Sequence, residues 1–149
     1  MISNKLIDGL SDGKIAAALA PYGVAPSRDL CSAIRDYTVL LLRWNQRIGL
    51  TAIKDPASIL ARHFGESLFA ASAVPLRSRR LVDVGSGAGF PGLALKLVLP
   101  ETEVTLIEAN AKKAAFLAEV IRTLRLRGVR LLRERTESKI GRASCRERV

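Results

Sequence analysis

The chain holds one histidine, His63, among 149 residues, and only two cysteines, Cys31 and Cys145. That scarcity excludes a histidine-rich metal site and a cysteine cluster, so no bound metal is expected. Two cysteines also make no disulfide framework. Aromatic residues are few: Tyr22, Tyr37, Trp44 and four Phe. A base-stacking platform for single-stranded nucleic acid is therefore not evident. No apolar run approaches the roughly 20 residues that a membrane-spanning helix needs. Met1-Ile2-Ser3-Asn4-Lys5 leads into an amphipathic pattern and not into a signal-peptide core. A cytoplasmic protein without a membrane partner is expected. Acidic residues are outnumbered, 14 against 24 Lys and Arg, for a net charge of +10. Such a balance favours polyanionic partners, nucleic acid above all, although a solvated arginine-rich surface gives the same excess.

Hydrophobic residues make up 48% of the chain, enough for one domain or a small domain with an extension. Leu30, Ile34, Tyr37, Leu41, Trp44 and Ile48 recur at steps of four and three, one face of a helix. Pro26-Ser27 precedes that helix and Gly49 follows it, as start and stop signals should. An earlier helix is expected over Lys5 to Ala20, interrupted or frayed near Gly9 and Gly13. Asp55-Pro56 caps a third, which carries Ile59, Leu60, His63 and Leu68. Pro75 to Arg80 reads as a linker. Beyond it, strands over Leu81–Val84, Val104–Ile107 and Val129–Leu132 alternate with helices over Leu93–Val98 and Ala111–Arg125. The second of these helices places Ala114, Leu117, Ala118, Ile121 and Leu124 inward. Alternation of this kind specifies an α/β fold with a parallel sheet.

Between the first strand and its helix lies Gly85-Ser86-Gly87-Ala88-Gly89-Phe90-Pro91-Gly92. Strand, glycine loop, helix is the arrangement by which an α/β fold brings its backbone against a nucleotide-like ligand. Pro91 suits the first turn of the helix that follows. A dinucleotide fingerprint, G-x-G-x-x-G, would need glycine at position 90, where Phe90 stands. The third glycine comes early, at Gly89. The resulting G-x-G-x-G is the form usual in S-adenosylmethionine-dependent methyltransferases, whose cofactor has no phosphate to cradle. Phe90 is then permissible, packed against the adenosyl or methionyl part. Glu108 ends the second strand, 23 positions after Gly85. There it is placed to accept hydrogen bonds from ribose hydroxyls. Gly85, Gly87, Gly89, Phe90 and Glu108 are thus the cofactor candidates. A nicotinamide-dependent Rossmann enzyme is the alternative that Phe90 disfavours.

The last ten residues, Ile140 to Val149, show neither strand nor helix periodicity. They are also what ATC GGA AGA GCG TCG TGT AGG GAA AGA GTG encodes, a string that resembles a widely used sequencing adapter read in frame. They are read as an adapter artefact and set aside. Without them the net charge is +8 and Cys31 is the single cysteine.

Trp44-Asn45, Leu50-Thr51, Asp55-Pro56, Arg62-His63, Glu66-Ser67-Leu68 and Phe90-Pro91-Gly92 together resemble the RsmG (GidB) family. These are the bacterial small-subunit ribosomal RNA methyltransferases G. The resemblance runs from about Cys31 to Glu137, and glycine loop plus Phe-Pro-Gly is its most specific part. It implies a Rossmann-like S-adenosylmethionine-dependent methyltransferase fold. The expected division is a helical extension over 1–76, the first half of the methyltransferase domain over 77–139, and the artefact over 140–149. The resemblance implies methyl transfer from S-adenosylmethionine to N7 of one guanine in 16S rRNA, either free or in the small ribosomal subunit; a monomer is expected. Family cofactor contacts fall on Gly85, Phe90 and the pair Thr136-Glu137, within an Arg-x-Glu pattern that starts at Arg135. No catalytic side chain is assigned, because N7 offers an in-plane lone pair and has no proton to lose. His63 with Glu66, and Lys112, Lys113, Arg122 and Arg125, are candidate RNA contacts; solvated or locally bonded surface groups are the plainer reading. Cys31 is read as core. The family usually carries Asn at position 49 and Asp at position 66, where Gly49 and Glu66 stand. It also continues through further strands and a Ser-Arg-Ala segment whose arginine helps bind cofactor. Its strand order is 3-2-1-4-5-7-6, with the ligand between strands 1 and 4, so this chain supplies one side of the pocket. Weak or no S-adenosylmethionine binding by the isolated chain is the expectation, and a non-catalytic basic RNA-binding fragment is the alternative function.

Overall fold

Local signals explain where each helix starts. In the computed structural model, which describes residues 8–72 and 80–135, helix α1 spans Asp12–Leu19. The Ser11 hydroxyl caps it by accepting from the Lys14 amide. The chain turns at Gly9-Leu10 before it, whereas Gly13 lies inside the helix and does not interrupt it. A 3-10 turn, Ala20–Tyr22, follows. Helix α2, Arg28–Asn45, is capped by Ser27 and buries Cys31, Ile34, Tyr37, Thr38, Leu40 and Leu41; of the expected stripe Ile34, Tyr37 and Leu41 are buried, while Leu30 and Trp44 are half-buried against the core. It ends at Asn45, so Ile48 packs on the core from the next turn instead of from the helix.

The third expected helix is three pieces: α3 at Pro56–Ser58, a π-helical turn at Ile59–Gly65, and α4 at Glu66–Ala70. Asp55 accepts from the Ser58 amide at 2.8 Å, which holds its carboxyl below the usual range. In the wide turn the Glu66 amide reaches back five residues to the Ala61 carbonyl, the mark of π geometry. That extra residue per turn is invisible to a reading based on a 3.6-residue period.

Strands β1 (Arg80–Val84), β2 (Glu103–Ile107) and β3 (Val129–Leu132) form a parallel sheet in the order β1-β2-β3. Val82 pairs with Thr105, and Thr105 with Arg130. Parallel neighbours need crossover connections, and helices α5 (Gly92–Val98) and α6 (Ala111–Thr123) provide them. Helix α5 starts at Gly92, one position before the expected Leu93, with Pro91 as its cap. Helix α6 ends at Thr123 because Arg125 takes a left-handed conformation, φ 52°. Its buried residues are Ala114, Phe116, Leu117 and Val120, while Ala118, expected inward, is exposed. The reason is two-sided packing: α6 contacts β3 and also α2, where Trp44 meets Phe116 and donates to Glu119 at 2.7 Å.

One core joins Leu10 of the turn before α1 and Ile15, Ile34, Tyr37 and Phe64 of the N-terminal helices to Leu93, Leu106 and Leu117 of the sheet unit. The helical segment thus packs directly on the glycine loop's own scaffold. The opposite sheet face leaves Val82 and Val84 exposed at 59% and 51%. Among the described residues, no helix is long and apolar enough to cross a membrane.

Candidate cofactor site

The glycine loop sits at the carboxyl ends of the parallel strands, where open α/β sheets bind ligands. Backbone bonds hold it there. The Gly85 and Ser86 amides both donate to the Ile107 carbonyl, at 2.8 and 3.2 Å, tying the loop to the end of β2. The Gly89 amide donates to the Ser86 carbonyl at 2.7 Å, and the Leu93 amide to the Gly89 carbonyl at 2.8 Å, which leads the chain into α5.

Its glycines serve different ends. Gly85 has φ 70°, and a Cβ built there meets nothing within 4 Å. At Gly87 the only neighbour would be the Gly85 carbonyl, at 3.8 Å. Gly89 faces inward: a Cβ would press on the Tyr37 hydroxyl, on Leu93 Cδ1 at 3.0 Å and on Leu117 Cδ2 at 3.1 Å. Gly92 is as tight, against Asp83 Oδ2 at 2.5 Å and Leu106 Cδ2 at 2.9 Å. Packing requires the last two, while Gly85 and Gly87 leave a bare backbone surface open to a ligand.

Two carboxylates border that surface. Glu108 is only 8% exposed, and both its oxygens accept from backbone amides, of Gly87 and of Asn110, each at 2.8 Å. It was expected as a ribose acceptor, and it also shapes the loop; a carboxylate has further lone pairs for a hydroxyl. Asp83 had no role in the sequence reading, because it lies within an apolar strand. Its Oδ2 accepts from the Gly92 amide at 3.0 Å. Burial pushes its carboxyl above the usual range, the Gly92 bond opposes this, and the Glu108 charge adds to it. An acid interrupting an apolar run beside a glycine loop was the available signal.

Phe90 sits in an aromatic cluster of the chain's own residues. Its ring is stacked between Tyr37 (centroids 5.1 Å apart, planes at 8°) and His63 (4.7 Å, 10°), with Phe64 edge-on at 5.0 Å. Both faces are covered, which leaves its backbone and ring edge for any ligand. The Tyr37 hydroxyl donates to the Ala88 carbonyl at 2.6 Å, and burial holds its pKa far above that of free tyrosine. His63 Nε2 lies 2.8 Å from Thr51 Oγ1, so the ring bonds to Thr51. Burial lowers the His63 pKa, and the Glu66 carboxylate pulls it the other way.

Thr136 and Glu137 lie outside the described residues. Cys31 is buried in α2, its thiol pushed up chiefly by that burial. Lys112, Arg122 and Arg125 are exposed and Lys113 is half-buried. Among the described residues no three His, Cys, Asp or Glu side chains gather as a metal site would require.

The family model "GidB: rRNA small subunit methyltransferase G" matches residues 30–146, reaching into the segment read as adapter-encoded. A protein of Chloroflexus aggregans named ribosomal RNA small subunit methyltransferase G is 43% identical over 117 residues, covering 78% of this chain and 49% of the relative. Its namesake in Roseiflexus castenholzii is 48% identical over 101 residues, 68% of this chain and 43% of the relative. That of Myxococcus xanthus is 40% identical over 126 residues, 85% and 58% respectively. The chain spans about half the length of the curated relatives it matches. By the family model's match over residues 30–146 and these identities, the chain belongs to the GidB family of rRNA small subunit methyltransferases G.

Proposed function

We propose that this chain carries the cofactor loop of an enzyme that methylates N7 of a guanine in 16S rRNA, with S-adenosylmethionine as donor. The observation that carries the reading is the open backbone at Gly85 and Gly87 beside two carboxylates, Asp83 and Glu108. A dinucleotide would bring the negative charge of a pyrophosphate to this loop. S-adenosylmethionine brings a sulfonium and an ammonium, which the carboxylates attract, and ribose hydroxyls, which Glu108 can accept.

Gly85 and Gly87 would hold the cofactor by their backbone, Glu108 by its carboxylate and Phe90 by its backbone or ring edge, with Gly89 keeping the turn closed. Thr136 and Glu137 join them on the family resemblance. The cofactor, when bound, supplies an electrophilic methyl group. Guanine N7 has a lone pair in the ring plane and no hydrogen, so no general base is needed. The chain's task is to orient and confine the reacting groups. No catalytic side chain is assigned. Lys112, Lys113, Arg122 and Arg125 would contribute salt-dependent attraction to RNA phosphates. The substrate is 16S rRNA, free or in the small subunit particle, and the setting a cytoplasmic monomer.

The test is a chimaera in which residues 30–135 replace the matching region of the Roseiflexus castenholzii relative. Incubated with S-adenosylmethionine and rRNA lacking this modification, it should yield 7-methylguanosine on nucleoside mass spectrometry. A folded chimaera that leaves the rRNA unmodified would count against the reading.

A further inference from the structure

We propose that His63 is a positioning residue for the glycine loop, acting through Phe90. Four separated sequence features converge on one contact chain. Asn45 Oδ1 accepts from the Leu50 and Thr51 amides at 2.9 and 3.0 Å, and its Nδ2 donates to the Thr51 carbonyl at 2.9 Å. Thr51 is thereby fixed at the end of α2, and its Oγ1 accepts from the Ile53 amide at 3.1 Å while meeting His63 Nε2 at 2.8 Å. The hydrogen bond sets the plane of the imidazole. That ring lies flat on Phe90, 4.7 Å between centroids and 10° between planes. Phe90 directly follows Gly89, and its other face rests on Tyr37, whose hydroxyl holds the Ala88 carbonyl. Phe90 is therefore gripped at the exit of the loop by a clamp with one fully buried jaw, Tyr37, and one partly exposed jaw, His63. His63 acts by keeping Phe90, and with it the Gly87 and Gly89 amides, in register. The role rests on reading the loop as the cofactor site.

The experiment is amide hydrogen exchange on the 149-residue chain, comparing His63→Ala, His63→Phe and the parent. The Gly87 amide bonded to Glu108 and the Gly89 amide bonded to Ser86 report on the loop. The Val104 amide, bonded to the Gly128 carbonyl, reports on the sheet. In His63→Ala the two loop amides should exchange about threefold to tenfold faster, the size of one lost aromatic pair, with Val104 unchanged. His63→Phe, which restores a flat ring, should bring both back to near the parent rate. Unchanged loop exchange in His63→Ala would overturn the proposal, and so would equal acceleration at Val104, which marks a purely structural role. The outcome needs no cofactor. Failure of the chimaera to methylate rRNA would remove the functional reading while leaving the clamp itself decided by exchange.

Discussion

Alanine at Gly85 and alanine at Gly89 separate the two kinds of glycine in this loop. Both residues have positive φ, 70° and 89°. For an L residue that conformation costs about 1–2 kcal/mol, of which about 0.4–1 kcal/mol returns through the stiffer unfolded chain. At Gly85 nothing lies within 4 Å of the new Cβ, so the net loss should stay near about 1 kcal/mol. At Gly89 the Cβ also drives into Tyr37, Leu93 and Leu117, all buried, and overpacking adds about 1–3 kcal/mol. Gly89→Ala should therefore lose about 3 kcal/mol in total, three times the loss at Gly85. Urea titration followed by circular dichroism measures both on one scale. In thermal melts the shifts should be about 4 °C and about 12 °C for a chain of this size. Equal losses at the two positions would refute the division into an open ligand side and a packed side.

Tyr37→Phe keeps the ring stack but leaves the Ala88 carbonyl without its donor, so stability should fall by about 1–2 kcal/mol in urea melts; an unchanged midpoint would show that water replaces the hydroxyl. Asp83 has its folded pKa raised from 3.8, so its proton binds more tightly in the folded state and stability falls as pH rises from that value through the folded pKa. Asp83→Asn should remove this loss, giving a stability difference that grows with pH and then levels off; a difference flat from pH 3 to 7 would contradict it. His63 has its folded pKa lowered from 6.5, so its contribution is present above that value and is lost as pH falls toward the folded pKa. His63→Phe should therefore lose less stability than the parent between pH 7 and 5, and identical slopes would contradict that.

The sheet was legible because its strands write themselves as short apolar runs between loop signals. Leu81–Val84, Val104–Ile107 and Val129–Leu132 each fall within an observed strand. Loop and Glu108 were legible because a glycine cluster between strand and helix has few other uses. The role of Phe90 was not. Which surface its ring meets depends on Tyr37 and His63, 53 and 27 positions earlier, and no local pattern fixes that contact. Asp83 was hidden by its neighbours: a strand periodicity marks where a side chain points, not that its carboxylate accepts from the Gly92 amide at the loop's exit. The π turn at Ile59–Gly65 escaped because its widened period still carries apolar residues at near-helical steps. Asn45 and Thr51 stood out only as a family pattern and His63 as the lone histidine, and the structure supplies the hydrogen bonds that relate them.

The central claim, that the bare backbone at Gly85 and Gly87 with Glu108 receives S-adenosylmethionine, meets its most direct test in equilibrium dialysis. Labelled S-adenosylmethionine and labelled NADH would each be offered to the chimaera carrying residues 30–135, and to the same protein with Glu108→Ala. Saturable S-adenosylmethionine binding that weakens at least tenfold in Glu108→Ala, with no saturable NADH binding, is the predicted result. Saturable NADH binding, or S-adenosylmethionine affinity indifferent to Glu108→Ala, would contradict it.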